Sequence, residues 1–142
     1  MNISAYLGFD VGTKRTGIAI ANSLTMQATG IKVIKHHKNG STNWVAFNEV
    51  ISAHNINKFV VGLPFNQQGK EQTMTFIAKS FGNKLKNRYQ IEVEFIDEYL
   101  SSNEAKKLLK YNHHHHNAQR DDVDKQSSQL ILQTWLNEKR FD

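Results

Sequence analysis

The chain has no cysteine and a single proline among its 142 residues. Without thiols, disulfide staples and thiolate zinc sites are excluded, and a reducing cytoplasm suits such a composition. One proline and eight glycines leave no stretch that reads as a linker. No apolar run approaches the length needed to cross a bilayer, and the N-terminus lacks a basic segment followed by a long apolar one. The sequence therefore predicts a soluble, unexported, cytoplasmic protein with no membrane partner. Its length allows one domain with a real core and leaves no room for two with a cleft between them, so residues 1–142 are read as a single domain. The 18 Lys and Arg outnumber the 13 Asp and Glu, a formal charge of +5, which favours a polyanionic partner modestly.

What is present starts with FDVGTKRTGIAIA, Phe9 to Ala21, in which one acid stands among apolar residues. Gly12 and Gly17 have the GxxxxG spacing of a phosphate-binding loop, but such a loop continues with Lys and then Ser or Thr, and this chain continues Ile18, Ala19, Ile20. The pattern instead predicts a strand from Tyr6 to Val11, a tight basic turn from Gly12 to Thr16, and a returning strand from Gly17 to Ala21. Asp10 then lies inside a sheet. Both glycines are read as backbone requirements of the turn.

Further along, Gly30 to Lys35 can form a third meandering strand with Ile31 and Val33 on one face. Trp44, Phe47 and Ile51 recur at helical spacing behind a cap at Asn43 or Thr42. Lys58 to Leu63 reads as a strand buried on both faces and ended by Pro64. Met74, Ile77, Ala78, Phe81 and Leu85 make one stripe on a helix from about Glu71 to Arg88. Ile91 to Ile96 alternates like a strand with one solvated face. Ser101 and Glu104 have capping-box spacing before a helix through Leu108 and Leu109. Asn112 to Arg120 reads as a polar, histidine-rich loop. A last helix runs from about Asp122 to Glu138 with Val123, Ser127, Leu130, Ile131, Thr134 and Trp135 inward. This order predicts an α/β fold with five strands in one mixed sheet, three antiparallel and then two parallel, flanked by helices, with the first strand central.

A lone buried aspartate has to be paired, hydrogen-bonded or metal-bound. Two acids can meet Asp10. Glu98 follows the strand ending FID, at a carboxyl end where ligands of open α/β sheets collect. Asp124 lies in the first turn of the last helix, where Ser127 and Ser128 leave a face small enough to approach the sheet. Three converging carboxylates repel, and magnesium or manganese, which prefer oxygen ligands, relieve that repulsion. Two such ions about 4 Å apart activate a water and stabilise the departing oxygen of a phosphodiester. Each acid also has a plainer reading: Asp10 as a turn-former bonding the amides of Gly12 and Thr13, Asp124 as an acid favoured by the helix dipole, Glu98 as a solvated strand end.

FDVGTKRTGIAIA, VVGLPFNQQGKEQ, FIDEYLSS and VDKQSSQLILQ, in this order, resemble the YqgF family, described both as Holliday junction resolvases and as nucleases maturing the precursor of small-subunit ribosomal RNA. The resemblance covers nearly the whole chain. The first motif alone also opens actin-like ATPases and sugar kinases, so the four in order carry the likeness. It implies a ribonuclease H-like fold, and Asp10, Glu98 and Asp124 as catalytic residues and ligands of one or two Mg2+ or Mn2+ ions. It implies hydrolysis that leaves a 5′ phosphate, with precursor 16S ribosomal RNA as the main substrate and a four-way DNA junction as its rival. The ribosome is a further partner to consider. Trimming an RNA end needs only a monomer or weak homodimer, whereas a two-fold symmetric junction calls for a dimer. A binding or transcription-associated factor without turnover is the remaining alternative. Tyr99 stands where the family usually has Arg, and Asn66 stands where related resolvases carry an acid, so the GLPFNQQG loop is read as guiding substrate.

Lys14, Arg15, Lys70, Arg120 and Lys125 fall in segments expected on one rim, together with Asn66, as contacts to phosphates that read no sequence. The run His113 to His116 is read as a loop beside the site that adds positive charge when protonated, since four adjacent histidines rarely meet one metal geometry.

Overall fold

Leu7, Phe9 and Val11 point to one side of the first strand, into a large apolar cluster, while Gly8 points to the other and meets Leu132. A strand alternates its side chains, so Asp10 shares the face of Gly8. The computed structural model describes residues 2–98 and 120–139. Strands β1 (Ala5–Val11), β2 (Arg15–Asn22) and β3 (Thr29–Lys35) form an antiparallel meander, and β4 (Ile56–Leu63) and β5 (Glu92–Asp97) add in parallel on the far side of β1. The order β3-β2-β1-β4-β5 puts β1 in the centre, as expected. Helices α1 (Trp44–Ser52) and α2 (Thr73–Tyr89) cover the face of Phe9, and α3 (Arg120–Lys139) covers the face of Asp10.

On the first face the core is aromatic. Phe9 packs within 6.2 Å, ring centre to ring centre, of Phe47, Phe59 and Phe81, and Trp44 stacks on Phe81. The Asn43 side chain caps α1 by accepting from the Ala46 amide at 3.3 Å. On the second face Ile131, Leu132, Trp135 and Leu136 of α3 lie on Ala19, Ala21, Val60 and Ile96. Among the described residues no helix is long and apolar enough to cross a membrane.

Several local expectations are corrected. Arg15 and Thr16 belong to β2, not to the turn. The partners of Ile18 and Ala19 on β3 are Lys32 and Gly30, so Ile31 is an extra residue in a bulge. The bulge shifts the alternation, so Ile31 and Val33 do not share a face: Ile31 and Ile34 reach the aromatic core, while Val33 pairs with Gly17. Ile77 is exposed, and Gly82, against which the Phe95 ring is packed, takes a buried place on α2. The described part of α3 begins at Arg120, so Asp124 lies beyond the first turn, which holds Asp121 and Asp122. The expected helix from Ser101, Tyr99, and the run His113 to His116 lie outside the described residues.

The glutamate face of strand β5 is only partly solvated: Glu92 is exposed, whereas Glu94 is not. Glu94 faces α3 and accepts hydrogen bonds from Lys58 Nζ at 2.5 Å and Trp135 Nε1 at 3.3 Å, with Lys139 Nζ at 3.4 Å. Burial pushes the Glu94 carboxyl up, but the bonds from Lys58 and Trp135 and the charges of Lys58 and Lys139 outweigh it and hold the group below its ordinary value. A lowered carboxyl contributes stability that is present above its unfolded value of about 4.3 and lost as pH falls through the folded one. Glu94→Gln is expected to cost about 1–2 kcal/mol at pH 7. In urea denaturation the gap between variant and parent should narrow as the pH drops below about 4. A gap that is constant with pH would mean that packing, not charge, sets the cost.

Candidate active site

The sheet register brings two glycines to the sides of Asp10. Gly17 is its partner on β2. On β4, Val61 pairs with Phe9, so the next step along both strands sets Gly62 beside Asp10. Both glycines lie under the far side of the molecule from the aromatic core, and each makes room for another acid. A Cβ on Gly17 would run into the backbone carbonyl of Asp124, whose own Cβ is 3.5 Å away. A Cβ on Gly62 would lie 2.5 Å from Glu98 Oε2 and 2.7 Å from Ile131 Cδ1. Asp10 is thus the middle of a row, with Asp124 packed over the missing side chain on one side and Glu98 over the missing side chain on the other.

The close approach of α3 repeats along the sheet. Added Cβ atoms on Gly8 and Gly30 would stand 2.7 Å from Leu132 Cβ and 2.6 Å from the Lys125 carbonyl. The helix answers with small residues, since Ser127 and Ser128 are both buried against the strands. A strand face stripped of side chains and a helix face of serines let the two backbones come close enough for a carboxylate on α3 to reach one on β1.

Glu98 is 9% exposed, while Asp10 and Asp124 are half-buried. One oxygen of each outer acid, Glu98 Oε2 and Asp124 Oδ2, is closed off from solvent. Asp10 and Asp124 open into a cleft of about 230 Å³ whose other walls are Gly12, Thr13, Lys14 and Arg15. The turn is tight because the Gly12 amide donates to the Arg15 carbonyl at 2.9 Å, and a Cβ on Gly12 would meet that same oxygen at 2.7 Å. The Gly12 amide is therefore committed to Arg15. Gly17, by contrast, is needed by α3 and not by the turn.

Because Arg15 starts β2, it shares a face with Gly17, and its guanidinium reaches α3. Nη1 stands 3.5 Å from Asp121 and Nε 3.7 Å from Asp124. Asp121, in the first turn of α3, is thus a second contact of the arginine beside the cleft. Its three-residue spacing from Asp124 was the available signal.

The structure brings Asp10, Lys14, Arg15 and Asp124 together at one opening and sets Glu98 across Gly62. Asn66, Lys70 and Lys125 do not line that opening. The Asn66 side-chain oxygen accepts the amides of Gln68 and Lys70 at 2.9 Å each and so closes its own loop. Lys70 is exposed nearby, and Lys125 lies over Gly30. Arg120 is the first described residue of α3. Asp97 is exposed.

Three carboxylates are hard oxygen donors of the kind magnesium and manganese prefer. Among the described residues no three His, Cys, Asp or Glu side chains stand close enough together to form a ready-made metal cluster, and Asp124 leans to Arg15.

A family model described as "RuvX: Holliday junction resolvase" matches residues 4–138. Proteins named "Putative pre-16S rRNA nuclease" are similar along their length. One from Coxiella burnetii is 35% identical over 134 residues, 94% of this chain and 93% of its own. One from Aeromonas hydrophila is 37% identical over 139 residues, 98% of this chain and 99% of its own. Among solved structures, Thermus thermophilus RuvC in complex with Holliday junction substrate superposes with a TM-score of 0.60 at 11% identity, covering 97% of this chain and 96% of that one. Fowlpox virus resolvase with Holliday junction DNA gives 0.59 at 11% identity, covering 95% and 98%. At such identities the likeness speaks for the fold, which is the ribonuclease H-like architecture expected from the sequence.

Proposed function

The chain belongs to the RuvX family, and on that premise we propose that it is a single-domain, metal-dependent nuclease that processes the 5′ end of precursor 16S ribosomal RNA. The observation that carries the site is the row in which Asp10 stands between Gly17 and Gly62 with Asp124 and Glu98 packed over the two gaps. In this reading Asp10, Glu98 and Asp124 hold one or two magnesium or manganese ions. A divalent ion bound there supplies Lewis-acid polarisation of the phosphodiester and a lowered pKa for water. Lys14 draws a backbone phosphate to the mouth of the cleft, and Arg15 orients Asp124 through the 3.7 Å contact. Water oxygen bonds to phosphorus, the bond from phosphorus to the 3′ oxygen breaks, and the products carry a 5′ phosphate and a 3′ hydroxyl. The burial of Glu98 keeps its carboxylate in one place during this exchange.

The choice of ribosomal RNA follows the name of the full-length relatives, and the ribosome is the assembly in which that substrate arises. The description of the family favours a second substrate, the Holliday junction, which would require two copies to face one another.

The test is to incubate the purified full chain with a 5′-extended 16S precursor and, separately, with a four-way DNA junction, in magnesium, manganese or chelator. Divalent-dependent cutting of the RNA to a 5′-phosphate end, with the junction intact, is expected. Junction cleavage by a dimer would replace the RNA reading with the DNA one. Binding of both without cleavage of either would overturn the nuclease and leave a nucleic-acid-binding factor.

A further inference from the structure

The β1–β2 turn separates the acidic cleft from a second, larger cavity. This cavity, about 530 Å³, also has Gly12 and Thr13 in its wall, so the two openings adjoin across the turn. Its volume lies within the roughly 300–1,000 Å³ of small-molecule sites. Its opposite side is α2, from which Phe76, Ile77 and Lys84 line it, and His36 closes the end of β3. Phe76 is 58% exposed and Ile77 37%, one after the other on a helix whose buried stripe, Ala78, Phe81 and Leu85, continues past them. Single exposed apolar residues need no explanation, but an exposed aromatic in the wall of a groove next to a cleft read as phosphodiester-cutting has a use.

The rim beyond Thr13 and His36 is basic. A shallow depression of about 570 Å³ runs along the end of β3, lined by Lys14, Lys35, His37 and Lys38 together with the Thr13 and His36 that also line the groove. The ion pairs among the described residues use Arg15, Lys58, Lys79 and Lys139, and none uses Lys14, Lys35, Lys38 or Lys84. An aromatic ring inside a groove with cations along its edge is the arrangement that holds single-stranded nucleic acid, because every base has a stackable face and every link a phosphate. A duplex keeps its bases stacked on each other and offers the ring nothing.

We propose that the groove between α2 and the β1–β2 turn takes one unpaired nucleobase, stacked on Phe76, from a single-stranded segment whose phosphates run over Lys14, Lys35 and Lys38. The proposal rests on the nuclease reading only in naming nucleic acid as the occupant. It adds that the substrate must be single-stranded beside the cleavage point, which an unpaired precursor end satisfies.

The experiment is done in chelator, so that binding is read without cleavage. The full chain is titrated against a fluorescent single-stranded oligoribonucleotide and against the same sequence annealed to its complement. Phe76→Ala is expected to weaken single-strand binding roughly 5- to 150-fold, the range that base stacking on an aromatic side chain spans, and to leave duplex binding unchanged. Phe76→Trp should restore the single-strand affinity. Lys38→Ala should weaken binding to both and lower the single-strand salt slope by about 0.7. Phe76 is exposed, so an unchanged melting temperature identifies a folded variant. Equal single-strand affinity for Phe76→Ala and the parent, or equal losses on single strand and duplex, would overturn the proposal. If the parent cuts nothing in metal while the Phe76 effect appears in chelator, the nuclease reading fails and the stacking site stands. If the parent cuts but Phe76→Ala binds normally, the stacking site alone fails.

Discussion

Asp10→Asn should slow phosphodiester cleavage by about 10²- to 10³-fold or more, the loss typical when one preorganised electrostatic group is removed from an active site. Asp10 is held between Gly17 and Gly62, with Asp124 above one glycine and Glu98 above the other. Arg15 is engaged by Asp124 and Asp121. An isosteric amide keeps the shape of the Asp10 side chain and, on the nuclease reading, removes an anionic oxygen ligand of the divalent ion. Added magnesium should then stabilise the parent and not the variant. A variant that is both inactive and less stable would indicate that Asp10 serves the fold.

The second large effect separates two glycines that look alike in the sequence. In Gly17→Ala the new methyl would occupy the place of the Asp124 carbonyl, a backbone atom that cannot swing aside. The whole helix must lift, at an expected cost of about 2–3 kcal/mol, with cleavage lost because Asp124 leaves the neighbourhood of Asp10. In Gly62→Ala the methyl meets only side-chain ends, Glu98 Oε2 at 2.5 Å and Ile131 Cδ1 at 2.7 Å. Those atoms can rotate away, so the stability cost should be about 1 kcal/mol or less while activity falls as steeply as in Gly17→Ala. Chemical denaturation of both variants, set beside their cleavage rates, checks the contrast. Equal stability losses would show that the helix, not the Glu98 side chain, is what Gly62 accommodates.

The difference between these glycines also marks where sequence reasoning stopped. Asp10 was legible because apolar neighbours on both sides place it within a strand, and the central place of β1 followed from a meander succeeded by crossover strands. Gly17 was assigned to the turn because spacing along one strand says nothing of what packs above it. Its meaning depends on register with Asp10 and on the approach of α3, both of which join distant parts of the chain. Ile31 and Val33 were set on one face because a bulge at Ile31 changes the phase of alternation without changing composition. Ile77 was placed in the core by periodicity, yet the groove beside it leaves that part of α2 uncovered. Glu94 looked solvent-facing because glutamate usually is, and only the fold brings Lys58, Trp135 and Lys139 to it. Arg15 was legible as a cation of the rim, whereas its contacts to Asp121 and Asp124 depend on its start-of-strand position and the approach of α3.

The most direct test of the central claim, that Asp10, Glu98 and Asp124 act as one unit, is the cleavage rate of Asp10→Asn, Glu98→Gln and the double variant in magnesium. Groups that work together are not additive when removed. The expected result is that each single substitution costs about 10²-fold or more and that the double variant is no slower than the worse of the two. Losses that multiply in the double variant, or a Glu98→Gln protein as active as the parent, would contradict it.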